Sequence, residues 1–262
     1  LQGSITDEAG RELAYVSIGI AGTSTGTVSK PDGSFRLLLP AVPNPTDTLR
    51  ISHIGYQTLS FPLEKTVDKT SEKLSFTLYP ATRQLTTIEI KPGETKRKTF
   101  GSRREHTVIS TNFAITDQPL QNLGAAIGKR FNLKGKPHFL QELNMFVAYN
   151  NFDTVVFRLQ VHKLRNGKPA GSLLTENIYF TLVKHRKGWA TFDLKPYALV
   201  FNEKVLLSLE WVGHSAKGKY IGLPLAMPLP GAVHYYKFGS QAHWKVYHTM
   251  STSINLVTET GK

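Results

Sequence analysis

Short runs of alternating apolar and polar residues, separated by glycine and proline turns, fill the first ninety positions of the chain. The pattern predicts strands over 16–20, 27–29, 34–39, 47–53, 56–61, 74–78 and 85–90. The turn at residues 30–33 (Lys-Pro-Asp-Gly) has a physical basis, because proline presets φ and glycine accepts a positive φ. Strands that are this short and this regularly punctuated are typical of a β-sandwich or barrel.

From residue 107 onward the apolar runs become longer. We predict strands over 140–149, 154–164, 177–183, 188–194, 204–212, 219–222, 234–238, 242–247 and 252–257. A turn or two of helix is expected only within 120–129. Strand alternation places Trp189 and Trp211 in the core. The pattern favours a second β-sandwich of the jelly-roll type.

The segment between these parts interrupts the pattern, since it is basic and almost free of apolar residues. We interpret residues 92–106 as a basic linker between a module at 1–91 and a module at 107–262. Charge repulsion would keep such a linker extended. A polybasic run can also touch anionic lipid head groups, and that alternative stays open.

Composition narrows the classes of function. The chain has 262 residues, 40% of them hydrophobic, and no cysteine, which excludes disulfides, thiolate metal sites and cysteine nucleophiles. No run approaches the ~18 apolar residues of a membrane helix. The net charge of +13 is uneven, with −1 over residues 1–90 and +14 over the rest. Because the basic residues are scattered among the strands, we expect a solvated basic surface and no nucleic-acid partner.

Motifs for catalysis or metal binding are weak. Residues 22–26 (Gly-Thr-Ser-Thr-Gly) fit a nucleophile elbow, but a second strand follows instead of a helix, so we predict a hairpin loop. The histidines lack zinc-peptidase spacing, including His234, His243 and His248. The loop at 150–153 lacks the calcium-loop pattern. We therefore predict no catalytic residues, no metal and no cofactor.

Aromatic side chains gather late in the chain, between two glycine-containing turns. Aromatic side chains near loop ends can stack on sugar rings or take part in protein recognition. The candidate ligand-binding residues are Tyr235, Tyr236, His243 and Trp244. The alternative is an aromatic plug of the core.

Several motifs of the first ninety residues occur in the order of a known domain. They are Leu-Gln-Gly-Ser-Ile-Thr-Asp at 1–7, Leu-Ala-Tyr-Val-Ser-Ile at 13–18, Gly-Thr-Val-Ser at 26–29, Asp-Gly-Ser-Phe at 32–35 and Ile-Ser-His-Ile-Gly-Tyr at 51–56. This part resembles the carboxypeptidase-regulatory-like (CarboxypepD_reg-like, transthyretin-like) domain, a non-catalytic Greek-key β-sandwich. The resemblance implies an exported protein of the Bacteroidetes type, and residues 85–90 look like the join to a following domain.

The sequence as a whole predicts an all-β protein without enzymatic activity. We expect it to be exported, in the periplasm or associated with the outer membrane or cell surface. Its expected partner is a glycan or an envelope protein. A structural assembly or adhesion subunit is the alternative, and a hydrolase is a third reading.

Overall fold

The computed structural model describes residues 1–40, 44–67, 73–81, 95–113 and 122–261. These residues form twenty-three strands, one short helix and one 3-10 turn, so the prediction of an all-β protein is confirmed. Within the described ranges, no helix has the length and apolarity to cross a membrane.

The first module is built from two small sheets. Its three-stranded sheet has the order β4-β1-β7 and its four-stranded sheet the order β3-β2-β5-β6. The buried side chains that these sheets share include Ile5, Ile18, Phe35 and Leu49. The elements are β1 (Gln2–Asp7), β2 (Ser17–Ile20), β3 (Gly26–Val28), β4 (Ser34–Arg36), β5 (Thr48–Ser52), β6 (Leu59–Pro62), α1 (Glu64–Val67) and β7 (Leu74–Leu78).

The turns of this module follow the sequence reasoning. Gly33 has a φ of +70° and its amide donates to the carbonyl of Lys30 at 3.0 Å, which closes the predicted turn. The strands on either side of residues 22–26 pair antiparallel, so the prediction of a hairpin loop at that motif is confirmed. The predicted strand at 85–90 lies outside the described residues.

The second module contains three sheets. The seven-stranded sheet has the order β14-β13-β18-β10-β20-β21, with β15 also on β13. The five-stranded sheet has the order β16-β11-β23-β8, with β17 on β11, and a four-stranded sheet joins β12, β19, β22 and β9. The elements are β8 (Thr95–Gly101), β9 (Ile109–Asn112), β10 (Ala126–Asn132), β11 (His138–Val147), β12 (Tyr149–Asn150), β13 (Thr154–Arg165), β14 (Lys168–Ser172), β15 (Ile178–Val183), β16 (Gly188–Asp193), a 3-10 turn (Lys195–Tyr197), β17 (Val200–Phe201), β18 (Lys204–His214), β19 (Ile221–Ala226), β20 (Val233–Lys237), β21 (Trp244–His248), β22 (Ser251–Thr252) and β23 (Ile254–Gly261).

The core of this module lies between the seven-stranded and five-stranded sheets. Phe180 of β15 stacks on Phe192 of β16 with ring centroids 4.4 Å apart, which joins the two sheets. Trp211 of β18 is fully buried, as predicted. Successive strand residues point to opposite faces, so every second residue of these strands enters the core.

Residues 126–129, where a turn of helix was expected, form the start of β10 instead. This strand is hydrogen-bonded on both sides, to β18 and to β20. Its local preference is weak and Gly128 lies within it, so pairing with two long neighbours decides the conformation. The helix prediction is therefore wrong at these residues.

The segment interpreted as a basic linker is partly a strand. Residues 95–101 form β8, which pairs along its whole length with β23 at the edge of the five-stranded sheet. Phe100 packs against the core and meets the ring of His138 at 5.2 Å. The charged residues that suggested a linker lie on an edge strand, where charge discourages pairing with another chain.

The two modules contact each other directly. The Oγ of Ser240 donates to the carbonyl of Ile18 at 2.6 Å. The Nε2 of Gln241 donates to the carbonyl of Ser17 at 3.1 Å and to the Oγ of Ser52 at 2.9 Å. The loop before β21 therefore holds β2 and β5 of the first module against the second.

Candidate functional site

The outer face of the five-stranded sheet is polar, in contrast to its inner face. The register pairs Trp189 with Phe146 and Thr191 with Asn144. On the other side of β11, Asn144 pairs with Asn255 of β23. The intervening residues of these strands point inward and form the core. Alternation thus gathers one aromatic pair and a row of polar side chains on this face, where Asn255 is only 5% exposed.

The polar row is ordered by its own hydrogen bonds. The Oγ1 of Thr191 donates to the Oδ1 of Asn144 at 2.6 Å. The Nδ2 of Asn144 donates to the Oδ1 of Asn255 at 3.1 Å. This chain crosses three strands, so the amide groups are fixed before any ligand arrives. Fixed groups lose little conformational entropy on binding.

Trp189 is held from three sides. Its ring meets that of Phe146 edge-on, with centroids 5.4 Å apart. Its Nε1 donates to the Oε1 of Glu105 at 2.7 Å. Arg186 donates to its backbone carbonyl. The indole is only partly buried and therefore presents a rigid apolar surface at the edge of the polar row.

Glu105 belongs to the basic segment that follows β8, and that segment is anchored to the sheet. The amide of Ser102 donates to the carbonyl of Ile254 at 3.0 Å. The Oγ of Ser253 donates to the carbonyl of Arg104. These contacts lay the segment across the outer face and bring Arg103 and Glu105 to the rim of the site.

Charged groups complete a shallow depression of about 390 Å³. Arg97 and Glu142 form an ion pair with a distance of 2.6 Å between Nη2 and Oε1. The Nη2 of Arg103 donates to the Oγ1 of Thr99 at 3.0 Å. The residues that line the depression come from four strands and the following segment: Arg97, Thr99, Arg103, Glu105, Glu142, Asn144, Trp189, Asn255 and Val257.

These groups suit a ligand with several hydroxyls and an apolar face. Planar guanidinium, carboxylate and amide groups each offer two coplanar hydrogen-bonding atoms. A partly exposed indole offers an apolar plate beside them. Both carboxylates are already engaged, Glu105 with Trp189 and Glu142 with Arg97. The arrangement therefore fits binding of a polyol better than acid–base chemistry.

The aromatic residues chosen from the sequence do not converge. Tyr235 is 1% exposed and its hydroxyl donates to the carbonyl of Gly167. Tyr236 lies on the opposite face of β20, in the main core, and its hydroxyl donates to the carbonyl of Asn112. Burial raises the pKa of both phenols. Neither ring offers a face to a ligand.

His243 and Trp244 lie nearer the surface. Trp244 is half-buried on the edge strand β21, where its ring meets that of His162 and the Nζ of Lys237 lies 5.8 Å from its centroid. His243 is exposed and faces Gly22 of the first module. The two are therefore separate surface features.

The polar loop at 150–153 has other partners. The Oδ1 of Asn150 accepts from the amide of Phe152 at 2.9 Å. The Oδ1 of Asn151 accepts from the amides of Lys219 and Tyr220. These oxygens stabilise the loop. In the described part of the chain, no three His, Asp or Glu side chains come together as a metal site.

Sequence reasoning missed Trp189, which it assigned to the core. The structure places the indole on the outer face, and that assignment is wrong. The alternation of the strand carried the information. Trp189 lies on the same face as the polar residues Thr191 and Asp193, whereas Ala190 and Phe192 lie on the buried face. Pairing with Asn144 and Asn255 depends on strand order, which the sequence does not show.

Comparison with known proteins places the first module. Residues 1–90 match the CarboxypepD_reg-like domain. This domain therefore accounts for about a third of the chain, as its motifs predicted. No curated protein matches the chain.

Two solved structures of low similarity span nearly the whole chain. One is a clostridial cysteine protease, Cwp84, after propeptide cleavage, with 9% identity, a TM-score of 0.43, and coverage of 99% of this chain and 70% of that one. The other contains the cysteine protease and lectin-like domains of Cwp84, a surface layer associated protein of Clostridium difficile. It has 10% identity, a TM-score of 0.41, and coverage of 95% and 59%.

Proposed function

We propose that this chain is a non-enzymatic binding protein of the cell envelope that recognises a glycan on the outer face of its five-stranded sheet. The observation that carries the proposal is the partly exposed indole of Trp189 beside the hydrogen-bonded row of Thr191, Asn144 and Asn255. The depression of about 390 Å³ has the size for a short oligosaccharide.

The chemistry of a sugar ring matches this surface. A pyranose has apolar C–H groups on its faces and hydroxyls around its rim. Its face would pack on Trp189, while adjacent hydroxyls would bond to the amide of Asn144 and the guanidinium of Arg97. The indole of Trp189 is already held by its neighbours, so binding of a sugar would order few side chains.

The engagement of the carboxylates supports binding over hydrolysis. Glycoside hydrolysis needs one free acid and one free base or nucleophile on either side of the scissile bond. In this depression Glu142 is paired with Arg97 and Glu105 accepts from Trp189. Both groups are thus placed to orient other side chains.

An envelope location is supported by the first module alone. Residues 1–90 match the CarboxypepD_reg-like domain, whose resemblance implies export in bacteria of the Bacteroidetes type. We propose the periplasm or the outer membrane surface as the location on that basis. The first module would then present the second to its ligand.

Two of the sheet edges weigh against an assembly subunit. Edge strand β8 carries Lys96, Arg97 and Lys98 in succession, and edge strand β6 ends in Pro62. Charge and proline on edge strands prevent the strand addition by which such subunits polymerise. Glycan recognition remains the function that the described surface supports best.

A glycan array probed with the full-length chain tests the proposal. We expect binding to one group of structurally related glycans, loss of that binding in Trp189→Ala, and full retention in Trp244→Ala. The second variant removes an aromatic side chain of the same size outside the site. Equal loss in both variants, or no binding to any glycan, would contradict the proposal. Release of new reducing ends from a bound glycan would show a hydrolase instead.

A further inference from the structure

A second concave surface lies where the two modules meet. It is a groove of about 1650 Å³, bounded by the β2–β3 loop and strand β3 on one side and by the end of β18 on the other. Pockets for small molecules have volumes of about 300–1,000 Å³, so this groove suits a longer segment. The contacts of Ser240 and Gln241 with the first module hold together the two modules that form its walls.

Large apolar side chains are exposed in this groove. Leu38 is 50% exposed and Phe238 is 39% exposed, and both line it, one from each module. Val156 and Val212 contribute further apolar surface. Exposed large apolar residues that line one groove mark a surface that a partner covers.

The charged side chains that line the groove are basic. Lys30, Arg36 and Lys245 lie along it, and no Asp or Glu appears among the described residues that line it. The Nζ of Lys245 lies 5.0 Å from the ring centroid of Phe238, so a basic group lies directly beside an exposed apolar ring. An occupant should therefore be acidic as well as apolar.

Polar groups inside the groove distinguish a peptide from an acyl chain. The hydroxyls of Ser24 and Thr25 lie on one wall, whereas Ser215 on the other wall is already hydrogen-bonded within the chain. An acyl chain would bury the hydroxyls of Ser24 and Thr25 without hydrogen bonds, which is unfavourable. A peptide backbone supplies a donor and an acceptor at almost every residue.

We propose that the inter-module groove binds an extended acidic peptide segment of a partner protein, with alternate apolar side chains against Leu38 and Phe238 and carboxylates paired with Lys30 and Lys245. This site lies outside the depression around Trp189 and takes a different class of ligand. Because both modules form its walls, the groove exists only in the assembled chain.

Selection of a displayed library of random twelve-residue peptides on the full-length chain tests this inference. We expect enriched peptides that combine Asp or Glu with large apolar residues. One enriched peptide is then titrated against the wild type and against Lys30→Glu/Lys245→Glu, where its affinity should fall at least tenfold. A matched control, Lys134→Glu/Lys204→Glu, changes the net charge equally at exposed positions outside the groove and should leave the affinity unchanged.

A second variant tests the apolar contacts. Leu38→Ser should weaken the same peptide without a change in thermal midpoint, since this side chain is 50% exposed. Failure to enrich acidic peptides, or equal losses in the groove variant and its charge control, would overturn the inference. Saturable binding of dodecanoate in place of peptides would also overturn it. Glycan binding measured on the same variants separates this outcome from the Trp189 site.

Discussion

Arg158 and Glu210 face each other on neighbouring strands β13 and β18 and form a fully buried ion pair, with 2.8 Å between Nη2 and Oε2. Arg158 also reaches the first module, donating to the carbonyl of Tyr15 and the Oγ of Ser17, each at 2.7 Å. Burial alone would raise the pKa of Glu210, but Arg158 and then Lys237 outweigh it and lower the pKa to about 2. The pair thus fixes the relative position of the two modules.

Removal of one partner of this ion pair should strongly reduce the stability of the folded protein. We expect Arg158→Met to lower the free energy of unfolding by about 3–5 kcal/mol, because Glu210 would stay buried without its main counter-charge. The double variant Arg158→Met/Glu210→Met should lose much less. Urea unfolding measures both. Lys163→Met, in an exposed pair with Glu203 at 3.9 Å, is the control and should be nearly neutral. Equal losses in the single and double variants would contradict this account.

Strand β8 should be required for a soluble second module. A chain of residues 107–262 lacks β8 and exposes the edge of β23, whereas a chain of residues 92–262 retains it. Exposed unpaired edges promote association between chains. Both fragments lack the first module, so their comparison isolates the strand together with the anchored segment that follows it. Sedimentation should show larger oligomers for the shorter fragment, and equal behaviour would indicate that residues 92–106 act as a linker.

His234 should contribute to a loss of stability in mild acid, together with His53 and His162, whose pKa values burial also lowers. The ring of His234 is 3% exposed, and burial followed by the charge of Lys129 lowers its pKa to about 4. The unfolded chain takes up a proton near pH 6.5 and the folded chain does not, so the stabilisation is complete above that pH and is lost on acidification towards pH 4. From these pKa values the loss at pH 5 is about 2 kcal/mol.

The variant His234→Gln isolates this contribution. Unfolding in urea at pH 7.5 and pH 5 should show a smaller acid-induced loss in the variant than in the wild type, even where the variant is less stable at both pH values. An identical loss in the two proteins would mean that other groups cause the acid sensitivity.

Glu105 should matter for ligand affinity and little for stability. Its carboxylate accepts from the Nε1 of Trp189 at 2.7 Å while the side chain itself is exposed. Glu105→Ala frees the indole to change its orientation, and we expect a glycan affinity reduced roughly five- to tenfold, about 1–1.4 kcal/mol. The thermal midpoint should stay unchanged. A similar affinity in wild type and variant would show that the indole needs no such support.

The sequence predicted the β-class and the first module well, because their signals are local. The turn at Gly33 depends on a few adjacent residues, and β7 matches its predicted bounds, Leu74–Leu78. The site was harder to predict, because it depends on which strands become neighbours. Asn144, Asn255 and Thr191 are far apart in the sequence, and only the strand order β16-β11-β23 brings them together.

The charged segment after residue 94 shows the same limit. Its charged composition indicated a linker, because charged side chains are expected to contact solvent. The side chains of an edge strand contact solvent as well, so composition does not distinguish the two. The pairing of Arg97 with Glu142 and the anchoring of Ser102 at Ile254 are long-range contacts that no local pattern encodes. These contacts bring to the site four of the nine residues that line the depression, namely Arg97, Thr99, Arg103 and Glu105.

Tryptophan fluorescence during glycan titration is the most direct measurement on the proposed site. The chain has three tryptophans, of which Trp211 is fully buried. With a glycan that binds the wild type, Trp244→Phe should keep a saturable change in emission, because Trp189 remains beside the ligand. Trp189→Phe should lose that change and most of the affinity. Unaltered affinity in Trp189→Phe, or an emission change that disappears only in Trp244→Phe, would contradict glycan recognition at the outer sheet face.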